Sequence, residues 1–153
     1  MNTYWPKETD KELKGIQGMN ELLDVIDLHK SFHPLYKDTS IKHIYGEIYP
    51  CLLVGQYILE RNEDQEIVGF TNWALFNEEA EDHFRQSIKV RTQDWQCGNR
   101  IWIINAINKN QSCLAQIRRL HKFFRNLCEG AMIYYLRIKS EKVLERQVKI
   151  KKF

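Results

Sequence analysis

Long apolar runs are missing from this sequence. No stretch approaches the roughly 18 uninterrupted apolar residues that a membrane-spanning helix needs. The N-terminal residues MNTYWPKETDKELKG are also too polar to contain the apolar core of a secretory signal. We therefore expect a soluble, cytoplasmic protein without a membrane span, in which residues 1–15 are loosely ordered.

Cysteine pairs and the common catalytic signatures are missing as well. The four cysteines stand far apart without a C-x-x-C pair, which excludes a small disulfide scaffold and a clustered zinc site. We expect them to be reduced, structural thiols. The motifs G-x-G-x-x-G, G-x-x-x-x-G-K-[ST], G-x-S-x-G and H-E-x-x-H do not occur, so the usual nucleotide-binding, α/β-hydrolase and zinc-protease classes are not indicated.

The sequence does contain enough apolar residues for one core. A chain of 153 residues with 43% hydrophobic content predicts a single domain over residues 1–153. Its charge is uneven, because eleven Lys or Arg accompany three Glu from Leu114 onward, whereas the whole chain carries only +3. This basic C-terminal third suits an acidic partner, either nucleic acid or an acidic protein, or it is simply a solvated surface.

The spacing of apolar residues predicts an α+β fold. The first half contains a helix, an irregular connection, two strands of a hairpin and a second helix: Met19–Phe32, Lys37–Tyr49, Cys51–Glu60, Glu66–Leu75 and Asn77–Ser87. The second half contains a strand, a helix and a closing hairpin: Arg100–Ile107, Ser112–Gly130, Ala131–Lys139 and Val143–Lys151. This order favours helices packed on a largely antiparallel sheet.

Two clusters and one basic stripe are candidates for function. His29 and His33 lie one helical turn apart on an apolar face, where they are core residues, a metal pair without an evident third ligand, or a general base. The polar turn Asp94–Arg100 contains Gly98 and leads into a strand, so Asn99 can point into a cleft at the strand edge, unless the turn is an ordinary loop. The third candidate is the set of Arg118, Lys122 and Arg125, which share one helical face.

Three motifs, in order, resemble those of the toxin-activating lysine acyltransferases of the haemolysin C type. They are Gly55-Gln56-Tyr57-Ile58-Leu59, Val68-Gly69-Phe70-Thr71-Asn72-Trp73-Ala74 and Asp94-Trp95-x-x-Gly98-Asn99-Arg100-x-Trp102. A softer match is Leu28-His29-Lys30-Ser31-Phe32, which is similar to the family's "LHRNW". Each motif is weak alone, but the three occur in register from Gly55 to Trp102.

The resemblance implies a Gcn5-related acetyltransferase-like fold and an enzyme that transfers a fatty acyl group to a protein lysine. The implied donor is acyl–acyl carrier protein, with no separate cofactor or metal. The implied acceptor is an internal lysine of a secreted toxin, of the pore-forming RTX type or the contact-dependent inhibition type. The family also implies a homodimer in many cases. Nucleic acid is not an implied partner, since no nucleic-acid motif accompanies the basic residues.

The family's site residues transfer to this sequence in two ways. With an insertion of about seven residues near His33–Thr39, the catalytic histidine corresponds to His29, whereas an ungapped alignment places Tyr36 there. We prefer His29 as the general base. The family's aspartate in "GDR" corresponds to Asn99, which can orient the histidine or donate to an oxyanion but cannot neutralise an imidazolium.

The resemblance leaves two functions open. Because a lysine amine with a pKa of about 10.4 is almost wholly protonated at pH 7, acylation needs a group that removes the proton near the thioester. In the enzyme reading, His29 and Asn99 provide this chemistry, and the acidic acyl carrier protein docks on Arg118, Lys122 and Arg125. In the alternative reading, the chain is a catalytically degenerate binding module that holds acyl carrier protein or the toxin without turnover.

Overall fold

The computed structural model describes residues 15–110, 114–125, 132–139 and 142–149. Its helices are α1 (Gly18–Phe32), α2 (Ile41–Leu53), α3 (Glu78–Ser87) and α4 (Leu114–Arg125). Its strands are β1 (Tyr57–Arg61), β2 (Ile67–Phe76), β3 (Arg100–Asn108), β4 (Met132–Lys139) and β5 (Lys142–Lys149). The α+β fold predicted from the sequence is therefore confirmed, with helices on a largely antiparallel sheet in an arrangement like that of the Gcn5-related acetyltransferases.

Several predicted elements begin and end close to where the sequence placed them. Helix α3, for example, starts after Asn77, whose side-chain oxygen accepts a hydrogen bond from the amide of Ala80 at 2.8 Å. The predicted cap at Ser112 and the predicted helix end at Gly130 lie outside the described residues. The same holds for residues 1–14, so their expected loose order stays a prediction.

Helix α2 corrects the prediction of an irregular connection at Lys37–Tyr49. The hydroxyl of Ser40 caps the helix by accepting from the amide of His43 at 3.2 Å. The first half of the predicted strand Cys51–Glu60 is also wrong, because α2 continues to Leu53 and β1 begins only at Tyr57. Local propensity is misleading here, since α2 contains β-branched residues, a glycine and a proline, and tertiary packing of its buried face overrides that preference.

The five strands form one sheet in the order β1-β2-β3-β4-β5. All neighbours pair antiparallel except β3 and β4, which run parallel. Helix α4 lies between these two strands along the chain and provides the crossover that parallel neighbours need. The single parallel pair is thus the irregular place in an otherwise antiparallel sheet.

Two apolar clusters cover the two faces of the sheet. The first contains buried residues of α1, α2 and α3 together with Phe70, Phe76 and Trp102 from the strands. The second contains Trp73, Ile101 and Ile103, packed under Leu120 and Phe124 of α4. Alternation along the strands produces this division, because successive side chains point to opposite faces. Helix α4 therefore lies on the face opposite α1 and α2.

Candidate active site

A cavity opens where the parallel strands β3 and β4 stop pairing. Their last paired residues are Ile103 and Tyr135. The next residues on the two strands, Ile104 and Leu136, both line a cavity of about 130 Å³ on the side of α1 and α2. A separation of two parallel strands produces a concave site without disturbing the rest of the sheet.

A β-bulge gives the cavity its polar floor. Asn72 of β2 pairs with Asn105, and Trp73 pairs with Ile103, so Ile104 is an extra residue on β3. The side-chain oxygen of Asn72 accepts from the backbone amide of Asn105 at 2.8 Å and holds the bulge in place. As a result, Ile104 and Asn105, although consecutive, both line the cavity.

The cavity has a polar corner and an apolar wall. The polar corner consists of His33, Tyr36, Glu47 and Asn105. The apolar wall comprises Leu35, Phe84, Ile88, Val90, Trp95, Ile104 and Leu136. Lys89 also lines the cavity, and its side chain is 69% exposed. Such a site can hold an apolar chain against one side while polar groups act on its end.

His29 lies directly behind this polar corner and is fully buried. Its Nδ1 is 2.8 Å from the carbonyl oxygen of Val25, and its Nε2 is 3.4 Å from the amide nitrogen of Asn105. Because a carbonyl only accepts and an amide NH₂ only donates, the proton of neutral His29 is on Nδ1. Burial lowers the pKa of His29 to about 4, so the ring is neutral and positions Asn105.

His33 and Tyr36 line the cavity in front of His29. The rings of His33 and Tyr36 are 4.7 Å apart between centroids. Burial lowers the pKa of His33 to about 4, although a hydrogen bond with Asn105 opposes this shift. Burial, together with a hydrogen bond to Glu47, raises the pKa of the Tyr36 phenol well above its usual range. Both groups are therefore uncharged at neutral pH.

Glu47 supplies the carboxylate of the polar corner. It lies on α2, and its side chain is 25% exposed. One of its oxygens is 2.9 Å from Nε2 of His43 and 4.0 Å from Nζ of Lys89. Glu47 also borders a groove beside the cavity that is lined by Lys42, His43 and Arg91, among others. It is the one carboxylate among the described residues that line the cavity.

Buried polar contacts continue behind the floor. The amide of Asn72 donates to Sγ of Cys51 at 3.4 Å, and burial raises the pKa of this thiol to about 12. Cys51 is thus a protonated, structural thiol, as the sequence analysis expects. Cys51 and Cys97 are both free, whereas the other two cysteines lie outside the described residues.

The structure brings only one of the predicted site residues to the cavity region, and that residue is His29. Asn99 is exposed at the other end of β3, six residues from Asn105, which corresponds to about 20 Å along a strand. Asn105 occupies the position beside His29 that was expected for Asn99.

The predicted basic stripe lies on α4, across the sheet from the cavity. Arg118 and Lys122 are exposed, and the side chain of Arg125 lies outside the described part of the chain. Their docking role stays a prediction. The structure also reveals Tyr36 and Glu47, which sequence reasoning did not assign to the preferred site. Tyr36 is the residue that the ungapped alignment indicates.

The turn Asp94–Arg100 has a structural explanation. Gly98 passes so close to the end of β2 that an added Cβ would lie 2.3 Å from the carbonyl oxygen of Phe76. The Asp94 carboxylate lies 2.5 Å from Nε of Arg91. The backbone carbonyl of Trp95 accepts from the amide of Leu75 and from Nε2 of Gln56, both at 2.9 Å. The turn therefore fixes Trp95 against the cavity.

Neither a metal-binding cluster nor a membrane-spanning helix is found among the described residues. No group of three or more His, Cys, Asp or Glu residues in this part of the chain has an arrangement that suits a metal ion. In the same part, no helix combines the length and apolar character needed to cross a membrane.

Comparison with known proteins gives the family. The model of the RTX toxin acyltransferase family matches residues 19–152. The RTX-II toxin-activating lysine-acyltransferase ApxIIC of Actinobacillus pleuropneumoniae is 27% identical over 75 residues, or 48% of this chain and 46% of that protein. The protein-lysine palmitoyltransferase CyaC of Bordetella bronchiseptica is 29% identical over 75 residues, or 48% of this chain and 40% of that protein. The matched segment thus spans less than half the length of these relatives. The family model, in contrast, covers most of this chain, and the chain therefore belongs to the RTX toxin acyltransferase family.

Proposed function

We propose that this chain is a protein-lysine acyltransferase that transfers a fatty acyl group from acyl–acyl carrier protein to an internal lysine of a protein toxin, activating it. The observation that carries the proposal is the cavity at the fork of β3 and β4, where Glu47 faces an apolar wall. The names of the relatives, a toxin-activating lysine-acyltransferase and a protein-lysine palmitoyltransferase, support it. The acceptor is a toxin of the RTX or the contact-dependent inhibition type.

The reaction requires a nucleophilic amine beside a thioester. The lysine nitrogen attacks the carbonyl carbon, the carbon–sulfur bond breaks, and the thiol of the carrier leaves with a proton. Because the free amine is scarce at neutral pH, a base must first accept one proton from the ammonium group, and the leaving thiol takes up the other. The base must therefore be accessible from the cavity, and it must be unprotonated.

Glu47 is more accessible from the cavity than His29 is. Its carboxylate lines the cavity and is partly exposed, so an incoming ammonium group can approach it. His29 is fully buried, and each of its ring nitrogens contacts a protein group. We assign Glu47 as the general base, and His29 and Asn105 as positioning residues that hold the floor of the cavity. Tyr36 donates its hydroxyl to Glu47 and orients the carboxylate.

A single-turnover assay tests this assignment. Glu47→Gln should slow acylation of the toxin by about 10²- to 10⁴-fold, the range for losing a general base. Glu66→Gln is the matched control, since Glu66 is an exposed carboxylate near the β1–β2 turn. The donor is acyl–acyl carrier protein, the acceptor is the purified toxin, and intact mass measures the acyl groups added. Equal rates for Glu47→Gln and wild type contradict the role of Glu47, and an unmodified toxin with the wild-type enzyme contradicts the proposed function.

The sequence-based prediction that His29 is the base leads to a different expected result in the same assay. If His29 accepts the proton, His29→Gln should abolish acylation while Glu47→Gln remains active. If His29 positions Asn105, His29→Gln should retain measurable turnover and lower the stability of the protein. Rates and melting temperatures of the two variants separate these alternatives.

One observation favours the second function, a binding module without turnover. His33 accepts a hydrogen bond from the backbone amide of Leu35 at its Nδ1 (3.1 Å) and also bonds to Asn105, so the cavity contains no free imidazole nitrogen among its described residues. In this reading, the apolar wall retains the acyl chain while Glu47 only holds Tyr36. Tight binding of acyl–acyl carrier protein combined with no acyl transfer to any acceptor lysine would support it.

A further inference from the structure

Trp95 has an indole N–H that the folded chain leaves unused. Trp95 is only 4% exposed, and its Nε1 is buried without a hydrogen-bond partner in the part of the chain that the structure describes. Leaving a buried donor unpaired costs free energy that the same group would recover with an acceptor. Trp95 also lines the cavity, so a turn of its buried ring would bring the N–H to an acceptor on a bound molecule.

The cavity distinguishes Trp95 from the other tryptophans that the structure describes. The indole N–H of Trp102 donates to the carboxylate of Glu81 at 2.7 Å. The N–H of Trp73 is also buried without a partner, but Trp73 packs against Phe123 and Phe124 on the opposite face of the sheet. An unpaired indole N–H is therefore not evidence of a binding site by itself. An unpaired N–H on a residue that lines a cavity is such evidence.

The backbone of Trp95 is held in place by hydrogen bonds. Its carbonyl oxygen accepts hydrogen bonds from Leu75 at the end of β2 and from the buried side chain of Gln56. The amide of Cys97, two residues later, donates to the carbonyl of Leu75 at 2.9 Å. These bonds fix the backbone of Trp95, so only the ring has to reorganise when a ligand enters.

The residues that line the cavity around Trp95 favour one kind of hydrogen-bond acceptor. Phe84, Ile88, Val90 and Ile104 line the same cavity, and an anionic acceptor among them would lose hydration that one neutral N–H cannot replace. A neutral carbonyl oxygen attached to an apolar chain fits both the donor and the wall. The acyl donor contains such oxygens in its thioester and in the amides of its pantetheine arm.

We propose that Trp95 positions the acyl donor by donating its indole N–H to a carbonyl oxygen of the acyl-pantetheine thioester, with the acyl chain against the apolar wall. This inference rests on the proposed function for the identity of the donor. The apolar wall, which includes Trp95, then binds the acyl donor, and the polar corner, which includes Glu47, receives the acceptor lysine.

The direct test is the ¹⁵N–¹H signal of the Trp95 indole during titration with S-octanoylpantetheine. The chain contains four tryptophans, so the signals can be assigned by Trp→Phe substitution. We expect the Trp95 signal to move to higher proton frequency, as a newly formed hydrogen bond requires, while the Trp73 signal stays in place. The thioether S-octylpantetheine lacks the thioester carbonyl. A shift with the thioester alone supports the proposal, whereas an equal shift with both compounds overturns it, because the acceptor is then a pantetheine amide.

A kinetic comparison gives the second test. Trp95→Phe keeps an aromatic ring but removes the donor, and should raise the KM for acyl–acyl carrier protein roughly 2- to 10-fold, the range for one neutral hydrogen bond. Trp73→Phe is the matched control, since it removes an equally buried, unpaired N–H away from the cavity and should leave the KM unchanged.

The outcomes separate this inference from the proposed function. A Trp95 signal that stays in place during the thioester titration overturns the inference, whether or not the toxin is acylated. Equal effects of the two Trp→Phe substitutions on the KM overturn it as well. A Trp95 signal that responds to the thioester in a protein that acylates no lysine supports the inference and removes the enzymatic function.

Discussion

The surroundings of the buried His29 imidazole disfavour its positively charged form. Its two nitrogens face the carbonyl of Val25 and the amide of Asn105, and the neighbouring His33 ring, 6.5 Å away between centroids, would repel a second cation. At the scale of single residues, the polar corner therefore combines neutral groups around one carboxylate. Burying two neutral histidines in this corner should affect the stability of the protein as well as its chemistry.

Acidification should destabilise the protein through these two histidines. Burial lowers the pKa of both to about 4, whereas the unfolded chain has a value near 6.5. Between these values the unfolded state binds more protons, so the stability that is present above pH 6.5 is lost as the pH falls toward 4. We expect a loss of about 2 kcal/mol per histidine between pH 7 and pH 5, measured by urea unfolding.

A variant that lacks the imidazole of His29 tests the source of this loss of stability. His29→Gln keeps a hydrogen-bonding side chain without the proton and should remove about half of the pH dependence. His83→Gln, on the outer helix α3, should retain the wild-type dependence. A wild-type pH slope in His29→Gln would show that His29 does not cause the loss.

Asn105 and Asn99 form a natural pair for comparison. Asn105 is 6% exposed and contacts His29 and His33, whereas Asn99 is exposed. Asn105→Ala should lower the free energy of unfolding by about 1–3 kcal/mol, because buried polar partners lose their hydrogen bonds. Asn99→Ala should change it by less than about 0.5 kcal/mol.

The same pair distinguishes the two site assignments. If the floor of the cavity positions the reacting groups, single-turnover acylation should fall about 10²-fold in Asn105→Ala and remain near wild type in Asn99→Ala. The sequence-based assignment demands the opposite order. Circular dichroism would show whether each variant is folded.

At the scale of elements, backbone contacts fix the connection between α3 and β3. The amides of Cys97 and Gly98 both donate to the carbonyl of Leu75, at 2.9 and 3.0 Å. The carboxylate of Glu81 on α3 binds Nε of Arg100 at 2.6 Å and the indole of Trp102 at 2.7 Å. Burial alone would raise the pKa of Glu81, but these hydrogen bonds outweigh it and lower the pKa. These contacts tie the start of β3 to α3.

Substitution by alanine should change the free energy of unfolding in opposite directions at two glycines in different surroundings. A Cβ on Gly98 would lie 2.3 Å from the backbone oxygen of Phe76, so Gly98→Ala must displace backbone and should cost more than about 3 kcal/mol. Gly46 lies within α2 with open space around it, so Gly46→Ala should stabilise the protein by about 0.5–1 kcal/mol. Chemical unfolding of both variants measures the difference, and destabilisation by Gly46→Ala would contradict the open geometry.

At the scale of the whole molecule, positive charge is found on both faces of the sheet. The predicted stripe of Arg118, Lys122 and Arg125 lies on α4, whereas Lys42 and Lys89 lie beside the cavity on the other face. An acidic carrier that delivers its acyl chain to the cavity has to approach the cavity mouth. Exposed charges at that mouth should therefore steer the carrier more strongly than those on α4.

The proposed function requires a docking surface for acyl carrier protein, and charge reversal should reveal which of the two surfaces serves. Lys42→Glu combined with Lys89→Glu should raise the KM for the acyl donor at low ionic strength, and the effect should shrink as salt screens the charges. Arg118→Glu combined with Lys122→Glu and Arg125→Glu is the comparison on α4. A larger effect of the α4 triple variant would support the docking surface predicted from the sequence.

The sequence by itself determined the family and, apart from α2, the kinds of elements. The apolar spacing of Met19–Phe32, the cap at Asn77 and the β-rich segments depend on neighbours along the chain, so their local pattern predicts the helices and strands. The three motifs from Gly55 to Trp102 indicate the family for the same reason, because they are contiguous in the sequence.

Only the tertiary structure decided which residues meet at the cavity. Helix α2 forms because its apolar face is buried against the rest of the fold, and this burial brings Glu47 to Tyr36 although local propensity disfavours a helix there. An extra residue in β3 turns Asn105 toward His29, and period-two alternation cannot reveal such a bulge. The site depends on contacts between residues that are distant in sequence, and these contacts exist only once the sheet has formed.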